Sequence, residues 1–200
     1  MSRRVNTREL PVSVAIIGEG ISEKGYFSNL KKTEKLSSFK LRPDKPKHSD
    51  LSTVFAYAED LSKEHDIVFC LIDCDKIRSN SAEQTKFSQL KNKYGKNSRL
   101  ILIENNPCFE IWFLSHFKSI NKYFESDSQV VRELKKYNIF NAYDKSEDFF
   151  ISNNVYALLK DKLVQAINNS ILSDTSLDSA ERFRLSFTQI YKIFEKLGIK

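Results

Sequence analysis

The sequence predicts an α/β fold: a parallel β-sheet with helices on both faces, followed by a helical extension. Three observations predict it. The run Ile67-Val68-Phe69-Cys70-Leu71-Ile72 is apolar at every position and too short for a core helix, as a central strand buried on both faces would be. Short β-rich runs alternate with helix-period segments through the first two-thirds of the chain. After about residue 125 only helical patterns remain.

Val12–Ile17 reads as the first strand, stopped by Gly18-Glu19-Gly20. A helix is expected from about Ser22, with Ser22 as N-cap, Glu23 suiting the positive helix start, and Tyr26, Phe27 and Leu30 on one face. Phe39–Leu41 reads as a second strand stopped by Pro43. From Asp50 to Glu64, Val54, Ala58 and Leu61 keep helical spacing. Beyond the apolar strand, Phe87, Leu90 and Tyr94 mark a helix and Arg99–Ile103 another strand. Pro107 suits the first turn of a further helix capped by Asn106, whose stripe is Phe109, Trp112, Phe113, His116 and Phe117. The last third predicts helices near 128–137, 153–172 and 179–197. In the final one Phe183, Phe187, Ile190, Phe194 and Leu197 form a seam. Tyr143–Phe150 reads as an acidic, aromatic loop. The expected division is a core over 1–125 and a helical extension over 126–200 packed on it.

Two hundred residues, 40% hydrophobic and 29% charged, suit one soluble globular unit and argue against disorder. No apolar run approaches the roughly 20 residues that cross a bilayer. The basic start Met1-Ser2-Arg3-Arg4 leads into no secretory apolar stretch, so a cytoplasmic location is expected. Cys70, Cys74 and Cys108 form no C-x-x-C pair and read as reduced, buried thiols. With His48, His65 and His116 scattered, zinc is disfavoured. Gly18 and Gly20 begin a dinucleotide fingerprint that fails at its third glycine, where Glu23 stands, and no phosphate-binding P-loop occurs.

The net charge of +6 lies wholly in the first half, where 19 Lys and Arg face 13 Asp and Glu; residues 101–200 carry 13 of each. Clusters at Lys24–Lys47 and Lys76–Arg99 supply it, either as a surface for polyphosphates or as solubilising charge. Few aromatics interleave these clusters, so base stacking is not strongly signalled.

Glu19, between two glycines after the first strand, sits where open α/β sheets bind ligands, or is a solvated turn residue. Asp73-Cys74-Asp75 ends the buried strand. In extended backbone both carboxylates would face one way, and oxygen donors there suit Mg²⁺; Lys76 and Arg78 could instead neutralise them.

A glutamate after the first strand with a D-x-D after a later central strand is the arrangement of the Toprim domain. Glu19-Gly20-Ile21-Ser22-Glu23-Lys24-Gly25-Tyr26-Phe27 resembles the E-G-x-T-E-x-x-Y-F signature of RloB-like (AbiLii-type) proteins, Ser22 keeping the hydroxyl of the usual threonine. The block Asn106–Phe117 (NPCFEIWFLSHF) resembles their N-P-C-F-E-[IL]-W-L-L-x-H-F element, and Tyr143-Asp144-Lys145 their Y-x-K. The resemblance implies a Toprim-like (Rossmannoid) site in which Glu19, Asp73 and Asp75 hold Mg²⁺ or Mn²⁺, with Glu19 doubling as proton acceptor or donor and Glu23 a further catalytic residue. It places Asn106 and Glu110, sharing a helix face at i, i+4, in the next shell with His116, Lys145 and Lys76, which could meet substrate. Asn106 as a cap, Glu110 as surface charge, His116 as packed core and Lys145 paired to Asp144 or Glu147 are the plainer alternatives.

The leading expectation is a metal-dependent nuclease acting on RNA or DNA, the toxic effector of a bacterial anti-phage system working with an ABC- or AAA-type ATPase. The alternative is a non-catalytic module binding nucleic acid or a partner. A small-phosphoester hydrolase ranks below both, and topoisomerase action needs further domains.

Overall fold

The computed structural model describes residues 12–18, 20–42, 50–175 and 182–199. Its strands are β1 (Val14–Ile17), β2 (Phe39–Arg42), β3 (Ile67–Asp73), β4 (Leu100–Asn106) and β5 (Phe187–Thr188). They pair in the order β2-β1-β3-β4-β5, parallel throughout except that β5 runs antiparallel to β4. Helices α1 (Ile21–Thr33), α2 (Leu51–Glu64), α3 (Asp75–Ser79) and α4 (Ser81–Tyr94) fill the crossovers. Then follow α5 (Glu110–Ser115), α6 (Asp127–Leu134), α7 (Glu147–Ser152), α8 (Val155–Leu159), α9 (Leu163–Thr175) and α10 (Tyr191–Leu197).

The alternation of side chains along each strand explains the two layers. Val14, Ile16, Phe69, Leu71 and Ile103 face Tyr26, Phe27 and Leu30 of α1 and Trp112 and Phe113 of α5. Ala15, Ile17, Val68, Cys70 and Ile72 face Val54, Phe55, Ala58 and Leu61 of α2 and Phe87 of α4. The interior of β3 is buried on both faces, as its uniform apolarity predicts. Cys70, Cys74 and Cys108 are free and buried. Among the described residues, no helix is long and apolar enough to cross a membrane.

Three local expectations are corrected. Gly20, not Ser22, is the N-cap of α1, and Ser22 is buried one step inside the helix. Tyr143–Phe150 is not a plain loop. Ser146 caps α7, its Oγ accepting the Phe149 N–H at 3.2 Å, and Tyr143, Phe149 and Phe150 pack together with centroids 5.1–6.2 Å apart. Gly25 makes room for this cluster, since a Cβ there would stand 2.2 Å from the Phe150 Cγ.

The single helix expected over 179–197 is instead β5 followed by α10, with 176–181 outside the described residues. Long-range polar contacts override the helical spacing. The Gln189 N–H donates to the Glu104 carbonyl at 3.0 Å, Arg182 Nε to the Glu104 carboxylate at 3.0 Å, and Lys91 Nζ pairs with Glu104 at 2.7 Å. Phe194 stacks on Trp112 at 5.2 Å, so the C-terminal third shares the core of the α1 face.

Candidate functional site

The strand order reverses direction between β1 and β3: the chain leaves β1 for β2 on one side, then returns to build β3 and β4 on the other. In such sheets the crevice beyond the carboxyl ends of those two strands is where ligands bind. Ile17 is level with Cys70, so β3 runs three residues further and ends at Asp73, opposite Asn105 of β4. Gly18 and Gly20 lie at the end of β1, and Asp73-Cys74-Asp75 beside them at the end of β3.

Glu23 explains both glycines. Its side chain, almost fully buried, folds back over the turn. A Cβ on Gly18 would lie 2.8 Å from the Glu23 Cβ, and one on Gly20 would lie 2.6 Å from its Oε2. The turn is thus shaped around a carboxylate that occupies the strand end. Glu19 itself lies outside the described residues.

Asp73 is half-buried at the end of the strand and Asp75 is exposed. Their shared orientation was expected from extended backbone, but Cys74 has φ −95° and ψ 5°, so the alternation stops there and Asp75 opens α3. Its Oδ1 accepts the Lys76 backbone N–H at 2.7 Å, and the Lys76 side chain is exposed. The turn after β4 braces this end. Pro107, joined to Asn106 by a cis peptide, offers its carbonyl to the Cys74 and Asp75 N–H groups, each at 3.1 Å.

Asn106 is the last residue of β4, not a helix cap, so it shares no helix face with Glu110. Its amide donates to the Leu185 carbonyl at 2.7 Å and accepts from Arg78 at 3.3 Å, which ties three segments together. Arg78 has further partners on the segment before α6. It donates to the Phe124 carbonyl at 2.7 Å and to that of Glu125, and lies 4.8 Å from the Tyr123 ring centroid.

Glu110 is buried rather than a surface charge. Its Oε1 accepts from Ser22 Oγ and from Tyr143 OH, both at 2.7 Å, and its Oε2 pairs with Lys145 at 3.2 Å. Burial opposes the carboxylate charge, but Lys145 and the two hydroxyls outweigh it and hold Glu110 below the usual range. Burial likewise opposes the Lys145 charge, and Glu110 overrides it, so the lysine is raised. Lys145 also reaches Asp127 at 3.4 Å, rather than the Asp144 or Glu147 pairing considered from sequence. The Y-x-K element and the first turn of α1 are thus joined through one buried glutamate.

His116 faces the core rather than the strand ends. Its Nδ1 bonds the Trp112 carbonyl at 2.9 Å and its ring meets Trp112 edge-on at 4.8 Å. Burial disfavours the imidazolium and lowers the pKa to about 4. Because the folded value lies below the unfolded value of about 6.5, the contribution to stability is complete above pH ~6.5 and is lost as pH falls towards 4. Between about pH 7.5 and about pH 5, unfolding free energy from urea titrations is expected to fall by on the order of 2 kcal/mol. His116→Gln should remove most of that pH dependence; an unchanged slope would show that another group carries it.

The donor set at the strand ends is oxygen-only, with Asp73 and Asp75 as its described members. That chemistry fits Mg²⁺, which is bound by one or two carboxylates while waters and substrate phosphates complete its shell. Among the described residues, no three His, Cys, Asp or Glu side chains are arranged as a metal cage. Sequence reasoning missed Tyr123, Glu125 and Asp127, which with Asp75, Arg78, Ser79 and Ser126 line a cleft of about 290 Å³. They come from a segment with no motif, and only the fold brings them to α3.

Compared with known families, residues 14–197 match the family model described as RloB-like protein. The chain matches no curated protein and no solved structure.

Proposed function

This chain belongs to the RloB-like family, and on that premise we propose that it is a Mg²⁺-dependent nuclease hydrolysing phosphodiester bonds of RNA or DNA. One observation carries the reading: Asp73 and Asp75 stand at the carboxyl end of β3, at the reversal of strand order, beside the glycine-flanked turn of β1. The basic excess of the first hundred residues supports a polyanionic substrate. The finer reading, a toxic anti-phage effector working with an ABC- or AAA-type ATPase, rests on the motif resemblance.

In this account Asp73 and Asp75 would hold Mg²⁺ or Mn²⁺, with Glu19 as the third carboxylate. The bound ion supplies charge stabilisation to the phosphoryl oxygens and lowers the pKa of a bound water. The protein's own groups do the rest. Glu23 packs against Gly18 and Gly20 after β1, and the Pro107 carbonyl holds the backbone of Cys74 and Asp75. Lys145, kept protonated by Glu110, sets a positive charge beside Asp127 at the cleft.

The test is cleavage by the purified protein. RNA or DNA should be degraded in Mg²⁺ and remain intact in chelator. Binding without cleavage in Mg²⁺, with or without an ATPase partner, would make the chain a binding module instead.

A further inference from the structure

The cleft beside Asp75 has a composition ill-suited to a phosphate. Asp75, Glu125 and Asp127 on its rim repel anions, yet carboxylates accept hydrogen bonds well from the N–H edges of nucleobases. Tyr123, 44% exposed, lies in the same lining. Its ring is backed by the Arg78 guanidinium at 4.8 Å. Arg78 is fixed in turn by the Phe124 and Glu125 carbonyls and the Asn106 amide, so the ring is buttressed by the end of β4. Two rim carboxylates are also oriented: Gln129 donates to Glu125 at 3.0 Å and Lys145 to Asp127 at 3.4 Å.

We propose that Tyr123 is a stacking platform for one unpaired nucleobase of the substrate, whose edge Glu125 and Asp127 read. The inference rests on the nuclease reading and deepens it. An exposed aromatic ring in a cleft of about 290 Å³ takes a base out of a stack, not a paired duplex. The preferred substrate is therefore single-stranded or locally unpaired nucleic acid, with the base beside Asp75 and its phosphate towards Asp73.

Binding of fluorescein-labelled mixed-sequence oligonucleotides, RNA and DNA, single-stranded and duplex, tests this in chelator, where nothing is cut. Tyr123→Ala should weaken single-strand binding about tenfold, the scale of one base–aromatic stack, and leave duplex binding unchanged. Tyr123→Phe should stay within about twofold of wild type, since the π-face is kept. Wild-type affinity in Tyr123→Ala, an equal loss on duplex, or an equal loss in Tyr123→Phe would each overturn the platform. The two readings separate cleanly. Mg²⁺-dependent cleavage with single-strand binding indifferent to Tyr123 removes the platform and keeps the nuclease. Tyr123-dependent binding without cleavage in Mg²⁺ does the reverse.

Discussion

Asp73→Asn is expected to lower Mg²⁺-dependent cleavage on the order of 10³-fold while folding and nucleic-acid affinity stay near wild type. The substitution keeps the shape of a side chain at the end of β3 and removes one charge. The strand around it is held by parallel ladders to β1 and β4, whose backbone pairing the substitution leaves intact. A metal ion's contribution to phosphoryl transfer is several kcal/mol, and each 1.36 kcal/mol is tenfold in rate. Asp75→Asn should fall in the same direction but less far, because Asp75 is exposed and its Oδ1 is already engaged by the Lys76 N–H. Equal cleavage by Asp73→Asn and wild type would remove the aspartate from the chemistry.

The second large effect is on stability. Glu110→Ala is expected to cost about 3 kcal/mol, read as a lowered urea midpoint. The change strips Ser22 and Tyr143 of a buried acceptor and leaves Lys145 without its main partner. Lys145 is 42% exposed and can recover hydration, which keeps the cost below that of a fully buried broken pair. Glu110→Gln should cost less, since its amide oxygen still accepts from both hydroxyls. The pH dependence has a definite sign. Glu110 is lowered in the folded protein, so its stabilisation is present above the ordinary carboxylate range and lost as pH falls through the folded value. That window lies below the start of the His116 loss, and the two variants separate them. A stable Glu110→Ala protein would mean that the Y-x-K element is not anchored through this carboxylate.

The physics of each element decides how much of it is legible in sequence. β3 is legible because a parallel strand covered on both faces must be apolar at every position, and α2 and α4 because one face of each meets the sheet. Asn106-Pro107 misleads, since the pair suits a helix start as well as a strand end. The contacts that decide, to Leu185, Phe187 and Arg78, come from elsewhere in the chain. The 4-3-4-3 spacing from Phe183 to Leu197 likewise accommodates a short strand and a helix, and β5 forms because β4 offers it an edge. At the site, the grouping at the strand ends follows from motif and topology together. The Ser22–Glu110–Tyr143 cluster was written in the motifs as residues but not as contacts. The pairing of Arg78 with Tyr123 had no local signal, because neither residue lies in a patterned segment with the other.

Asp73 and its neighbours are proposed to grip one divalent ion at the carboxyl end of β3. The most direct measurement is Mn²⁺ binding followed by electron paramagnetic resonance, on wild type and on Asp73→Asn. Saturable occupancy of one site is expected in wild type, displaced by excess Mg²⁺ and abolished or severely weakened in the variant. Equal Mn²⁺ uptake by both proteins, or none by either in the presence of nucleic acid, would contradict it.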